Sequence, residues 1–221
     1  MIDELATHLA FRNRALTLSV CTTGSTTLTA TTSGYTRASG SFVTDGFKVG
    51  MEVSGTGFNS TNNAAALIVG VAASTLTIDR ATANTAQTAA AARTLSVGLP
   101  ALRSWENKKF TPTAKRLYIA EQFTPSTHKM VTFPASQGLA VETGLYVLTL
   151  YGVDDTGVAG IRKTIGALKA LFAPGTTITS SVYVRTDIGP TAGQIIPLDN
   201  GFATCQLTIY WQGDSRNVIA A

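Results

Sequence analysis

The chain has 221 residues, enough for one large domain or two small ones with a workable core. Apolar residues make up 44% and charged residues only 14%, well below the usual quarter of a soluble domain, and Thr, Ala, Gly and Ser fill the difference. The net charge of +4 is spread thinly, with no basic run longer than a pair (Lys108-Lys109, Lys115-Arg116, Arg162-Lys163), which argues against a nucleic-acid-binding face.

Met1 to Arg14 carries Asp3, Glu4, Arg12 and Arg14 where a signal peptide would have an apolar core, so none is expected. No run of about 18 apolar residues occurs, so no membrane span is expected either. Cys21 and Cys205 stand alone, without the spacing of a disulfide framework or a metal site. They read as small buried apolar side chains in a protein of a reducing compartment.

The first segment reads as a helix: Ile2, Leu5, Leu9 and Leu16, joined by Ala6 and Phe11, recur near helical spacing, with Asp3 and Glu4 in the first turn. From Thr17 to Val97 the texture changes to Thr, Ser, Ala and Gly, with seven charged residues, Arg37, Asp45, Lys48, Glu52, Asp79, Arg80 and Arg93. Alternating runs such as Thr26–Ala30 and Thr75–Asp79, separated by Gly, Asn and Ser, predict a small all-β unit, a sandwich or barrel. It opens with Leu16-Thr-Leu-Ser-Val20 and closes with Arg93-Thr-Leu-Ser-Val-Gly98. Two similar strands side by side would let a domain leave and re-enter its host at one point. Residues 15–98 are therefore expected to be an insertion, with 1–14 and 99–221 forming the core domain.

Beyond Leu99, Leu117–Phe123 and Lys129–Phe133 look like strands linked through Pro125. Gly144–Tyr151 is apolar on both faces, the mark of a central strand. Asp154, Asp155 and Thr156 are N-cap candidates for a helix reaching about Phe172. Its apolar residues Val158, Ile161, Ile165, Leu168 and Phe172 are spaced three, four, three and four, and Pro174-Gly175 ends it. Two more strands are predicted over Ile178–Arg185 and Thr204–Trp211, the second with Cys205, Leu207, Ile209 and Trp211 on one face. The expected fold class is α+β, two helices packed on a mostly antiparallel sheet, with an inserted all-β domain.

Residues that could carry chemistry are few. His8 and His128 are the only histidines, neither has a second ligand nearby in sequence, and both read as surface residues. The sequence has no H-E-x-x-H, C-x-x-C, G-x-S-x-G or Walker-type loop. Gly55-Thr-Gly57 lies among short strands and cannot cradle phosphate at a helix N-terminus. Asp154-Asp155 could serve acid–base or cation chemistry, but before a helix the plainer role is capping. Arg162, Lys163 and Lys169 lie off the apolar stripe of their helix, either as a solvated face or as inter-subunit contacts. No catalytic residue, cofactor or metal is expected, and the chain is not read as an enzyme.

Several stretches of the core do fit a known pattern. Glu142-Thr-Gly-Leu-Tyr-Val-Leu-Thr-Leu-Tyr151 leads through an Asp/Gly turn into the amphipathic helix closed by Phe172-Ala-Pro-Gly175. A strand, Gly189-Pro190, and Asp199-Asn-Gly-Phe202 leading into a final alternating strand follow. Upstream stand Trp105-Glu-Asn-Lys-Lys-Phe110-Thr-Pro112 and Leu117-Tyr-Ile119. Together with the N-terminal helix, this pattern resembles the tail terminator proteins of lambda-like long-tailed (siphovirus) bacteriophages. The insertion departs from that family's plain form, and Ser41–Val53 resembles small β-domains found in phage structural proteins.

The resemblance implies a ring of six copies at the neck of the virion, assembled in the host cytoplasm. Such a ring caps the tail tube, stops its polymerisation and joins the tail to the head connector. The implied partners are further copies of the chain, the tail tube protein and the head completion or stopper protein, with DNA only passing through the lumen and no membrane contact. The alternatives are another neck or tail subunit, tube or stopper, or a carbohydrate-binding adhesin acting through residues 15–98. The adhesin reading suffers from a single suitable aromatic in that segment, Tyr35, and no Trp.

Overall fold

The computed structural model describes residues 2–25, 27–79, 83–88, 92–104, 116–130, 139–153, 157–198 and 201–216. The chain opens with α1 (Glu4–Leu16), whose N-cap Asp3 accepts a hydrogen bond from Ala6 N at 2.9 Å. Short elements follow: β1 (Cys21–Ser25), β2 (Thr29–Thr31), β3 (Gly34–Thr36), the one-turn helix α2 (Phe42–Asp45), β4 (Glu52–Thr56) and the one-turn helix α3 (Ser60–Asn63). Then come β5 (Ala66–Val71), β6 (Thr75–Asp79) and β7 (Arg93–Val97). These strands make one seven-stranded antiparallel sheet in the order β1-β7-β4-β5-β6-β3-β2. Its core is built around the buried Tyr35, Phe42, Phe47, Met51 and Leu76.

The rest of the chain supplies β8 (Leu102–Ser104), β9 (Tyr118–Met130), β10 (Leu139–Val153) and α4 (Ala159–Leu171). It ends with β11 (Val182–Val184), β12 (Thr191–Ala192), β13 (Ile196–Leu198) and β14 (Phe202–Arg216). The second sheet runs β11-β14-β10-β9-β8, with β12 and β13 also paired to β14, and only the β8–β9 pairing is parallel. Helices α1 and α4 cover one face, so the fold is α+β with two helices on a mostly antiparallel sheet. β10 is central, as its two-sided apolar pattern requires. Its Tyr146, Leu148 and Leu150 are fully buried, beside Leu207, Ile209 and Trp211 of the alternating β14.

Several sequence expectations change in detail. The two strands expected on either side of Pro125 are one continuous strand, β9, and residues 131–133 lie outside the described residues. Pro125 has no N–H to give the ladder, and the register slips there by one residue: Gly144 faces Pro125 while Thr143 faces Thr127. Gly144 is required at this bulge, because a Cβ would stand 2.5 Å from the Trp211 ring and 2.6 Å from the Thr124 carbonyl oxygen. The strand expected over Ile178–Arg185 shrinks to Val182–Val184. Ile178 N and Thr179 N both bond the Val182 carbonyl, folding the preceding residues into a tight turn. Leu16–Val20 is not a strand, since Leu16 closes α1; β7 pairs instead with Cys21–Ser25.

The largest change concerns α1. Spacing identifies the helix, but its leucine stripe is not the buried face. The buried residues are Thr7, Phe11 and Ala15, whereas Leu5, Leu9 and Leu16 are 68%, 40% and 40% exposed. At about 100° per residue, those three leucines fall within about 40° of one another and form an outward ridge.

This division gives a direct test. Phe11→Ala should lower unfolding free energy by about 3–5 kcal/mol, and Leu9→Ala by less than about 0.5 kcal/mol, both measured by urea denaturation. The reverse ranking would mean that α1 is rotated about its axis.

Candidate interaction surfaces

The helix layer is fixed to the sheet by aromatic packing and one buried ionic network. The Phe11 ring lies 5.0 Å from Tyr146, 6.0 Å from Phe172, 6.2 Å from Phe123 and 6.5 Å from Trp211, centroid to centroid. Beside it, Glu121 of β9 is buried, and a lone buried carboxylate would be strongly disfavoured. It is not alone. Arg12 donates to Glu121 through Nε at 2.7 Å and also through Nη2, and the Tyr146 hydroxyl donates to Glu121 Oε2 at 3.0 Å.

His8 completes the group and corrects its expected surface placement. Its Nε2 is 3.2 Å from Glu121 Oε1, and its ring stacks on Phe123 at 5.1 Å. Burial, reinforced by the Glu121 charge, pushes the Tyr146 hydroxyl well above its ordinary pKa, so it acts as a fixed donor. Sequence spacing could not reveal this cluster, because Glu121 is more than a hundred residues from Arg12. The side chain of His128, like Asp154 and Asp155, lies outside the described residues. α4 itself begins at Ala159 after Val158, with no side-chain cap.

A second set of contacts joins the two sheets. Glu52 of β4 is buried, accepting from Ala101 N at 2.6 Å and from the Arg116 guanidinium. Leu67 of β5 packs with Leu117, Tyr118, Val153 and Phe202 of the second sheet. At the start of α4, Gly160 lies against Gly50, where a Cβ would meet the Gly50 carbonyl carbon at 2.8 Å. Lys163 Nζ donates to the Gly46 carbonyl at 2.7 Å. Lys163 is thus half-buried and committed within the chain, while Arg162 and Lys169 are exposed on another flank of α4.

That flank borders a cleft of about 510 Å³ lined by Val158, Arg162, Ile165, Ala192, Gly193, Gln194, Ile195 and Cys205. Large apolar side chains stand exposed around it, Val158 at 40% and Ile196 at 55%. Cys205 and Cys21 are both free and buried, and burial pushes the Cys21 thiol up to about 11. Among the described residues, no group of three or more His, Cys, Asp or Glu side chains could hold a metal ion. Nor is any described helix long and apolar enough to cross a membrane. The arrangement offers surfaces for packing: an apolar ridge on α1 and a partly apolar cleft with a cationic rim beside α4.

The buried ion pair is sensitive to the loss of one partner. Glu121→Ala should cost about 3–5 kcal/mol in a urea titration, because it strands the Arg12 charge. The double change of Glu121 to Leu and Arg12 to Leu should recover most of that loss. A double variant no more stable than the single would show that the carboxylate itself, and not the stranded charge, holds α1 down.

Comparison with known proteins gives the chain its family. No curated protein matches it. One solved chain is similar over 52% of this chain and 79% of its own length, at 21% identity and a TM-score of 0.40, a likeness too loose to support an argument. The family described as phage tail terminator protein matches residues 77–211, from β6 through most of β14 and more than half of the chain. The match takes in β9, β10, α4 and the cleft beside it, so the sequence resemblance and the family agree over residues 99–211; it also takes in β7 and part of β6, which lie within the expected insertion. The chain belongs to the phage tail terminator family, structural proteins of the viral tail.

Proposed function

We propose that this protein is the terminator of a siphovirus tail, forming a ring of six copies at the neck. The ring caps the last layer of the tail tube, stops its polymerisation and presents a second face to the head completion or stopper protein. DNA passes through its lumen. The family match over residues 77–211 is the observation that carries this reading. Physically, the task needs head-to-tail contacts closed by rotation and two dissimilar outer faces, not a reacting centre. Arg162 and Lys169, exposed on α4, suit contacts between copies, whereas Lys163 serves within the chain.

Residues 15–98 are read as an insertion in the terminator core, carried as a decoration. The buried Glu52 contacts and the Leu67 packing support a rigid attachment, so the decoration would hold one orientation in every copy. A virus lacking the protein should produce tails of uncontrolled length, unattached to filled heads, when lysates are imaged. Normal-length tails joined to heads would refute the terminator assignment. Absence of tails altogether would favour a tube subunit.

A further inference from the structure

The two exposed apolar features fit each other better than they fit solvent. The α1 ridge of Leu5, Leu9 and Leu16 has no cover among the described residues, and Asp3 and Glu4 place negative charge at its N-terminal end. The cleft beside α4 is of a size to take leucine side chains, is partly apolar, and carries the exposed cation Arg162 on its wall. One surface is convex and acidic at its end; the other is concave and basic.

Their positions decide what kind of contact they can make. α1 packs over β9 and β10 through Phe123, Glu121 and Tyr146, and meets α4 where Arg14 Nε donates to the Leu171 carbonyl at 3.0 Å. The cleft lies over β14 and β12, with β10 between β14 and β9. Around the α4 axis, Val158 and Arg162 stand about 140–180° from Ala167 and Leu171, at about 100° per residue. Ridge and cleft therefore occupy opposite flanks of the helix layer. One chain cannot fill its own cleft with its own ridge, and a two-fold pair could engage both only if ridge and cleft shared one face, which opposite flanks exclude. A head-to-tail series satisfies both in every copy, and a closed series is a ring.

We infer that the Leu5–Leu9–Leu16 ridge of one copy seats in the Val158–Ile195 cleft of the next, with Glu4 facing Arg162. This inference rests on the ring reading above and names the surfaces that close it. Leucines entering a desolvated cleft supply the attraction, and the ion pair at its rim fixes direction and register.

The test measures ring mass against protein concentration by light scattering for the full chain and its variants. Leu5→Glu with Leu9→Glu should raise the half-assembly concentration at least about 100-fold. Ala192→Trp, which fills the cleft from an exposed position, should do the same. Thermal unfolding should show both variants folded. Arg162→Glu should weaken the ring about five-fold per contact, and adding Glu4→Arg should restore it. Wild-type rings that persist unchanged in the ridge and cleft variants would overturn the docking and leave the ring reading standing. So would failure of the charge exchange to restore assembly after both single changes had weakened it. A wild-type chain that forms no ring at any concentration would overturn the ring reading and the docking with it.

Discussion

Phe11 is the point on which the helix layer depends. Its ring meets aromatic residues from β9, β10, β14 and the end of α4, so one side chain from the N-terminal helix sets the spacing of three strands and a second helix. Trp211 stacks on Phe123 at 5.3 Å directly beneath it, and Gly144 exists to let that indole lie flat against the sheet. A close-packed group of this kind tolerates little change in volume. It also explains the charge buried beside it. With Phe11 seated, Glu121 is buried; α1 brings the Arg12 guanidinium and His8 against it, while β10 holds the Tyr146 hydroxyl in place to donate to it.

Seating α1 by Phe11 has a consequence on the far side of the helix. A helix of 13 residues presents only a narrow strip to a sheet, and here Thr7, Phe11 and Ala15 occupy it. Leu5, Leu9 and Leu16 are left outside. An isolated exposed leucine is ordinary in a folded protein; three in one row on a helix of a structural protein of the viral tail are better understood as a contact surface. The low charge content suits the same end, because surfaces poor in charge shed water readily when proteins pack together.

Much of this architecture is legible in the residues. The alternation of Cys205, Leu207, Ile209 and Trp211 marks the buried face of β14, and the two-sided apolar run at Gly144–Tyr151 marks the central strand. The stripe of Ile161, Ile165 and Leu168 marks the buried face of α4. What spacing could not decide was which of two competing stripes on α1 faces inward. Three leucines outnumber one phenylalanine in any count of hydrophobicity, yet the aromatic pocket selects Phe11 by shape. The surface reading of His8 failed for a related reason, since its partners Glu121 and Phe123 lie on a distant strand. The continuity of β9 was hidden because Pro125 looks like a break when its partner glycine, and hence the bulge, is unknown.

The proposed function puts the protein in one place, as a ring between tube and head. The most direct measurement is a reconstruction of the virion neck by electron microscopy, with the two-sheet fold placed into the density. One six-fold layer of this fold is expected at the head-proximal end of the tube, with α1 of each copy against α4 of its neighbour. Finding the fold repeated along the tube, or at the distal tip, would contradict it.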